Sequence, residues 1–293
     1  MMQIIDLKIS GYRIRFENAD SLITLRLHPK FNRFIKNFND DDFDIRIRVS
    51  SGRTDLPPGS VCIFNGSYFG EETDKSLPTD FWSIWRSPES LHAMACFDRM
   101  DPGNKAILNF STTGNEWSLK VGTKATVVDP MRYPLDGLII YYLAMMHRDI
   151  FIHASGVVHD GKGYVFSGVS GKGKSTMAEL WKQKGAEIIH DDRLVIRKKG
   201  SVFVMHNTPV YENDYPKEAV VSRIYLIEHG KENRSERLKG AASVTSVMVN
   251  CIQHNWGQET IRMLLESVND LCNEVPVYRL SFKPDQEVTE KIS

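Results

Sequence analysis

Residues 164–176 read Tyr-Val-Phe-Ser-Gly168-Val-Ser-Gly171-Lys-Gly173-Lys174-Ser175-Thr176, and few backbones can accommodate them. An apolar run stops at a cluster of glycines, and Lys-Ser-Thr then opens a helical pattern. The segment fits G-x-x-x-x-G-K-[ST] at every fixed position, which predicts strand, phosphate-binding loop and helix in that order. Gly168, Gly171 and Gly173 let the backbone open and come close to a phosphate. Successive N–H groups then form an anion nest, to which the start of the helix adds its positive end. Lys174 is expected to reach the β- and γ-phosphates as a mobile charge, and the Ser175 hydroxyl to ligate magnesium. The expected ligand is therefore ATP with Mg2+. The residues expected to cradle it are Gly168, Val169, Ser170, Gly171, Lys172, Gly173, Lys174, Ser175 and Thr176. Gly185 is placed to cap the helix predicted over 175–184.

Seventeen residues after Lys174 comes Ile188-Ile189-His190-Asp191-Asp192, read as an apolar strand that ends in acids. One carboxylate can hold magnesium beside such a loop. The other can take the proton from an attacking hydroxyl. Neighbouring strand residues face opposite ways, so both acids reach one site only where the strand bends or one acts from the side. The residues alone leave open which acid does which. His153, in Phe151-Ile-His-Ala-Ser-Gly-Val, reads by itself as a core histidine of an apolar strand.

The chain changes rhythm along its 293 residues. Tyr12, Ile14 and Phe16 alternate with Arg13 and Arg15, and Ile45, Ile47 and Val49 with Asp44, Arg46 and Arg48. Both read as half-buried antiparallel strands. Further strands are expected near Val61–Tyr68, Phe81–Arg86, Ser90–Phe97, Ala106–Ser111 and Trp117–Val121. Asp40-Asp41-Asp42 with Asp44 lacks the glycine and glutamate of a calcium loop and reads as solvated. Pro134 then suits a first helical position, with Leu135, Leu138, Ile139, Tyr142 and Met146 on one helical face. Two domains follow: a β-rich one over 1–128 that helps select a substrate or partner, and a nucleotide-binding one over 129–293. In the second, Ile150–Val158 and Tyr164–Ser167 flank a tight turn, and Val220–Glu228 reads as a buried strand. Lys231–Lys239 reads as an exposed charged loop. Ile261, Leu264, Leu265, Val268 and Leu271 make an amphipathic helix, and Tyr278, Leu280 and Phe282 share one face of a closing strand.

Composition excludes several classes. Thirty-seven basic and 37 acidic residues leave no net charge, and so no electrostatic footprint for nucleic acid or an anionic membrane. The longest apolar run, Leu138–Met146, falls far short of the ~20 residues of a membrane span. Cys62, Cys96, Cys251 and Cys272 have no zinc-site spacing and read as free buried thiols of a cytoplasmic protein.

The stretch from His153 to Ser175, continued through Gly185-Ala-Glu-Ile-Ile-His-Asp-Asp-Arg, resembles the catalytic domain of HPr kinase/phosphorylase. Order and spacing agree over about residues 150–197. The strand, loop and paired acids are also similar to the nucleotide domain of phosphoenolpyruvate carboxykinase. The resemblance implies an α+β or α/β chain whose β-rich N-terminal part precedes a P-loop domain of this type. It implies Mg·ATP bound by Gly168–Thr176, with Asp191 catalytic alongside Lys174 and His153 lining the site. Asp192 would associate with the metal, as would Ser175. It further implies self-association. Val169 and Thr176 stand where that family carries acids, and its later glycine-rich, arginine-containing segment has no counterpart here. HPr is therefore not the expected acceptor. The expectation is a kinase acting on a hydroxyl of a small molecule, such as free serine, or of a protein or peptide. A nucleotide-gated regulatory module, a carboxykinase-like enzyme and a phosphohydrolase are the rival readings.

Overall fold

The computed structural model describes residues 3–38, 42–66, 81–98, 100–101, 103–122, 124–254 and 257–292. Asp40 and Asp41 of the acidic run, and the far end of the Val61–Tyr68 strand at Ser67 and Tyr68, lie outside these residues. The chain has mixed α and β content, dominated by sheets. It divides into two compact units, Met1–Leu143 with Tyr211–Asp214, and Ala144–Val210 with Tyr215–Ser293.

The first unit is built around a sheet of nine strands among the described residues. β1 (Ile4–Ile9) turns into β2 (Tyr12–Asn18) through Ser10 and Gly11, both with positive φ, the backbone a two-residue hairpin requires. Next come β3 (Thr24–Leu25), a 3-10 turn (Pro29–Phe34), β4 (Ile35–Lys36), β5 (Ile45–Ser51) and β6 (Val61–Asn65). β7 (Trp82–Arg86), β8 (Leu91–Cys96), β9 (Lys105–Phe110), β10 (Glu116–Gly122) and β11 (Val127–Val128) complete the unit. The sheet order is β4-β1-β2-β5-β10-β9-β8-β7-β6, and β3 pairs separately with β11. The period-two pattern places Ile14, Phe16, Ile45, Ile47 and Val49 in the core as the alternation demands. The expected antiparallel pairing is corrected, because β5 runs parallel to both β2 and β10. Between β2 and β5 the chain passes through β3, the 3-10 turn and β4, so it re-enters the sheet in its original direction.

α1 (Leu135–Met146) follows. Leu138 N–H donates to Pro134 O at 3.0 Å, so Pro134 stands just ahead of the helix rather than at its first position. The single apolar face is also too modest a reading. Ile140, Tyr141, Leu143 and Ala144 are as buried as Leu138 and Tyr142, as befits a helix that is apolar all round.

In the second unit β12 (Ile150–His159) and β13 (Lys162–Ser167) form a hairpin across Asp160 and Gly161, whose φ values of 49° and 71° suit a type I′ turn. α2 (Lys174–Gln183), β14 (Glu187–Lys199), β15 (Val202–Asn207) and β16 (Glu218–His229) come next. β17 (Arg234–Leu238), α3 (Ala241–Met248), α4 (Gln258–Glu274), β18 (Val277–Phe282) and α5 (Glu287–Lys291) finish the chain. The sheet runs β13-β12-β14-β15-β16-β18-β17 and curls until β13 also pairs, in parallel, with β16. One apolar cluster joins Ile152, Leu194 and Leu226 to Val247 of α3 and to Val268 and Leu271 of α4. A second sets α2 against the other face, where Trp181 is fully buried and stacks on Tyr164 at 4.9 Å. The segment read as a charged loop contains β17, an edge strand paired with β18. The α4 face is rotated from its expected position: Ile261 and Leu265 are exposed, while Thr260 and Ser267 are buried.

Candidate functional site

β13 ends at Ser167, whose hydroxyl donates to His153 O at 2.7 Å and ties the strand end to β12. Two glycines of the loop that follows have no room for a side chain. A Cβ on Gly168 would lie 2.9 Å from the carbonyl oxygen of Ile227 on β16. Gly173 has φ 91°, and a Cβ there would meet Phe282 Cζ at 2.8 Å and His229 Cε1 at 3.0 Å. Both positions demand glycine, the second for its left-handed backbone as well. α2 makes its first hydrogen bond from Met177 N–H to Gly173 O. The N–H groups of Lys174, Ser175 and Thr176 therefore have no intrahelical acceptor, and the end of the helix presents them to an anion. Val169, Ser170, Gly171, Lys172, Ser175 and Thr176 are exposed around this end.

Lys174 folds back across the loop and donates to Gly168 O at 2.8 Å and Val169 O at 3.4 Å. Desolvation lowers its basicity, while the negative charges of Asp191 and Asp192 act in the opposite direction. The lysine is thus within electrostatic reach of both acids of β14 while its hydrogen bonds go to the loop carbonyls. The structure differs from the sequence reading in one respect: β14 does not end at the acids but continues through them to Lys199. Asp191 lies opposite Ser155 and Asp192 opposite Ala154 on β12. Just before them the pairing slips, so that Gly156 faces His190 and Val157 faces Ile188, with Ile189 as the extra residue. The slip precedes both acids, whose own pairing with β12 is regular, so their side chains leave β14 on opposite faces.

Neighbouring side chains fix both carboxylates. Ser155 is fully buried, and its hydroxyl donates to Asp191 Oδ1 at 2.5 Å. Arg193 Nε donates to Asp192 Oδ2 at 2.8 Å. The buried His190 ring accepts from the N–H groups of Asp192 (3.1 Å) and Arg193 (3.4 Å) through Nδ1, which must be the unprotonated nitrogen. His153, opposite Arg193 in the register, is exposed by surface area. Desolvation by nearby protein nevertheless lowers its pKa, Asp192 raises it, and Arg193 and Lys174 lower it further, so the balance favours the neutral ring.

The other flank of the loop is made by β16 and β18. His229 Nε2 donates to Gly171 O at 3.1 Å, and its ring lies 5.5 Å from that of Phe282. Sequence reasoning named the loop, the two acids and His153, and missed Ser155, His190, Arg193 and His229. Ser155 lies on β12, His190 and Arg193 on β14 and His229 on β16; strand pairing brings Ser155 to Asp191, and His229 meets the loop from the other flank. Arg223 lies away from the site and donates to the Ile292 carbonyl at 3.1 Å.

Among the described residues no group of three or more His, Cys, Asp or Glu is arranged to hold a metal by itself, and no helix is long and apolar enough to cross a membrane. All four cysteines are free, with Cys62 exposed rather than buried as expected.

No protein-family model matches this chain, and no curated protein matches it. Among solved structures it is matched to the HPr(Ser) kinase/phosphatase from Coxiella burnetii. That match has 10% identity over 48% of this chain and 90% of the other, with a TM-score of 0.28. It is a distant likeness with no bearing on residue roles.

Proposed function

We propose that this protein is a phosphotransferase in which the loop of residues 168–176 binds the phosphates of ATP and Asp191 activates an acceptor hydroxyl. The observation that carries the reading is a loop whose Gly168 and Gly173 leave no room for a side chain, with Lys174 inside the electrostatic reach of Asp191 and Asp192. The donor set fits the ligand: unpaired amides at the start of α2, one lysine and two hydroxyls favour a polyanion. Mg2+ fits as well, since it takes one or two protein ligands together with substrate phosphates. Ser175 and Asp192 would hold it, and when bound it would neutralise charge between the phosphate groups.

The protein's own groups then divide the work. With Oδ1 engaged by Ser155, Asp191 has Oδ2 left to take the acceptor's proton as the hydroxyl oxygen attacks the terminal phosphorus. The bond to the bridging oxygen breaks on the opposite side, and Lys174 and the loop amides offset the negative charge that passes to the leaving diphosphate. Arg193 holds Asp192 to one side, so the two acids have different partners and different tasks.

The test is transfer of label from γ-labelled Mg·ATP by the wild-type protein and by Asp191→Asn. Acceptors would be free serine, HPr and cell extract fractionated into small molecules and proteins. Label should appear in one fraction, with the variant slower by about 10²–10⁴. ATP binding without any transfer would discard the kinase in favour of a nucleotide-gated binding module.

A further inference from the structure

Beyond the loop, on the side away from Asp191, lies a groove of about 420 Å³. Glu228, Lys231, Glu232, Arg234, Glu236 and Arg279 line it, three charges of each sign, with Ser281 between them. Among the described residues none of these six side chains takes part in an ion pair or a side-chain hydrogen bond. That is unexpected for Glu236 and Arg279, which are direct register partners on β17 and β18. Arg234, Ser281 and Glu228 likewise form one row across β17, β18 and β16.

The groove is built by backbone rather than by the charges themselves. Gly230 N–H donates to Phe282 O at 2.9 Å. The Gly230 Cα faces Ser281, and a Cβ there would collide with the Ser281 hydroxyl. Buried Asn233 accepts from Lys283 N–H at 2.8 Å and donates to Asp285 Oδ1 at 3.3 Å. The turn after β16 is therefore pinned to the end of β18, and the charges project from a braced frame.

The frame also touches the loop. Ile227 and His229, the two neighbours of Glu228, approach Gly168 and Gly171 respectively. Phe282, the neighbour of Ser281, lies against Gly173. Successive strand residues point to opposite faces, so the groove and the loop lie on either side of the same strand ends. The acids are on the far flank: β13 pairs with β12, and β12 with β14. A phosphate chain over the loop amides, with its terminal phosphate toward Asp191, directs its other end across the tips of β16 and β18.

We infer that this groove receives the nucleoside part of the nucleotide, an inference that rests on the loop being a triphosphate site. Its volume falls within the range of small-molecule sites. Carboxylates of Glu228 or Glu236 accept from ribose hydroxyls, and the guanidinium groups of Arg234 and Arg279 lie flat against a base. Unpaired charges of both signs suit a ligand that has donors, acceptors and an aromatic face.

The experiment compares ATP with inorganic tripolyphosphate by calorimetric titration in Mg2+, using wild type and the double variant Glu236→Gln with Arg279→Gln. The pair leaves net charge unchanged, so the long-range attraction for phosphates is preserved. Both residues are exposed, and a thermal unfolding curve confirms that the variant is folded. Wild type should bind ATP at least tenfold more tightly than tripolyphosphate, and the variant should lose most of that difference while binding tripolyphosphate as before. Equal affinities in wild type would overturn the inference. So would a variant that retains the full preference, or one that weakens both ligands alike. Binding of neither ligand by folded wild type would instead overturn the triphosphate loop itself, with Lys174→Ala as the control that loses both.

Discussion

A carboxylate has two oxygens, and what holds one decides what the other is free to do. Ser155 occupies Asp191 Oδ1 from a position with no solvent access, so its hydroxyl has no competing water. Replacing it with alanine leaves the carboxylate free to rotate toward Lys174, a more attractive partner than water. The expected outcome for Ser155→Ala is unchanged ATP affinity and a fall of about tenfold in the rate of phosphoryl transfer, with the basic limb of its pH profile displaced. A merely structural serine would lower thermal stability and leave the profile in place, so measuring both separates the two roles. Nothing in the sequence marks Ser155. Its partner is 36 residues away, and only the β12–β14 register brings them together. Lys174 was legible because the motif that defines it is contiguous.

Short local signals place most elements, while the ends of strands and the buried face of a helix depend on what packs against them. The Asp160-Gly161 hairpin and the Tyr278, Leu280 and Phe282 face follow from adjacent residues and short periods. In sequence β14 ends at its acids, because charge usually marks a strand end, yet pairing with β12 and β15 carries it on to Lys199. β17 has four exposed residues in five and so reads as a loop in sequence, since an edge strand needs no buried face. The loop before α2 allows the sharpest test at this scale. Alanine at Gly173 must adopt a left-handed backbone, at about 1–2 kcal/mol. It must also displace Phe282, which would lie 2.8 Å from the new Cβ. Gly173→Ala should therefore lower unfolding free energy in urea by about 2 kcal/mol or more and weaken tripolyphosphate binding. Gly185→Ala, at φ 89° but in open space, should show the backbone cost alone. Equal losses at the two positions would mean that Phe282 yields without cost.

At the scale of the whole molecule, balanced charge removes net repulsion as a source of acid sensitivity near neutrality, and individual buried groups take over. His92, His153 and His254 all have lowered pKa values, with desolvation first among the causes. His254 is the extreme case, buried and pushed down to about 3. A histidine depressed in the native state contributes stability that is complete above its unfolded pKa of about 6.5. That contribution is lost as pH falls toward the folded value, because the unfolded chain takes up a proton that the native chain refuses. Each such proton steepens the decline by about 1.4 kcal/mol per pH unit. Asp129 opposes the trend weakly, since desolvation raises its pKa and favours the native state as it protonates. Urea unfolding between pH 7.5 and 4.5 should therefore show stability declining with acid well before the carboxylates titrate. In His254→Gln, which is uncharged at every pH, the slope should fall by about one proton whatever the variant's stability at pH 7.5. An unchanged slope would mean that His254 is protonated in the native protein, and that a water or carboxylate reaches it inside the unit.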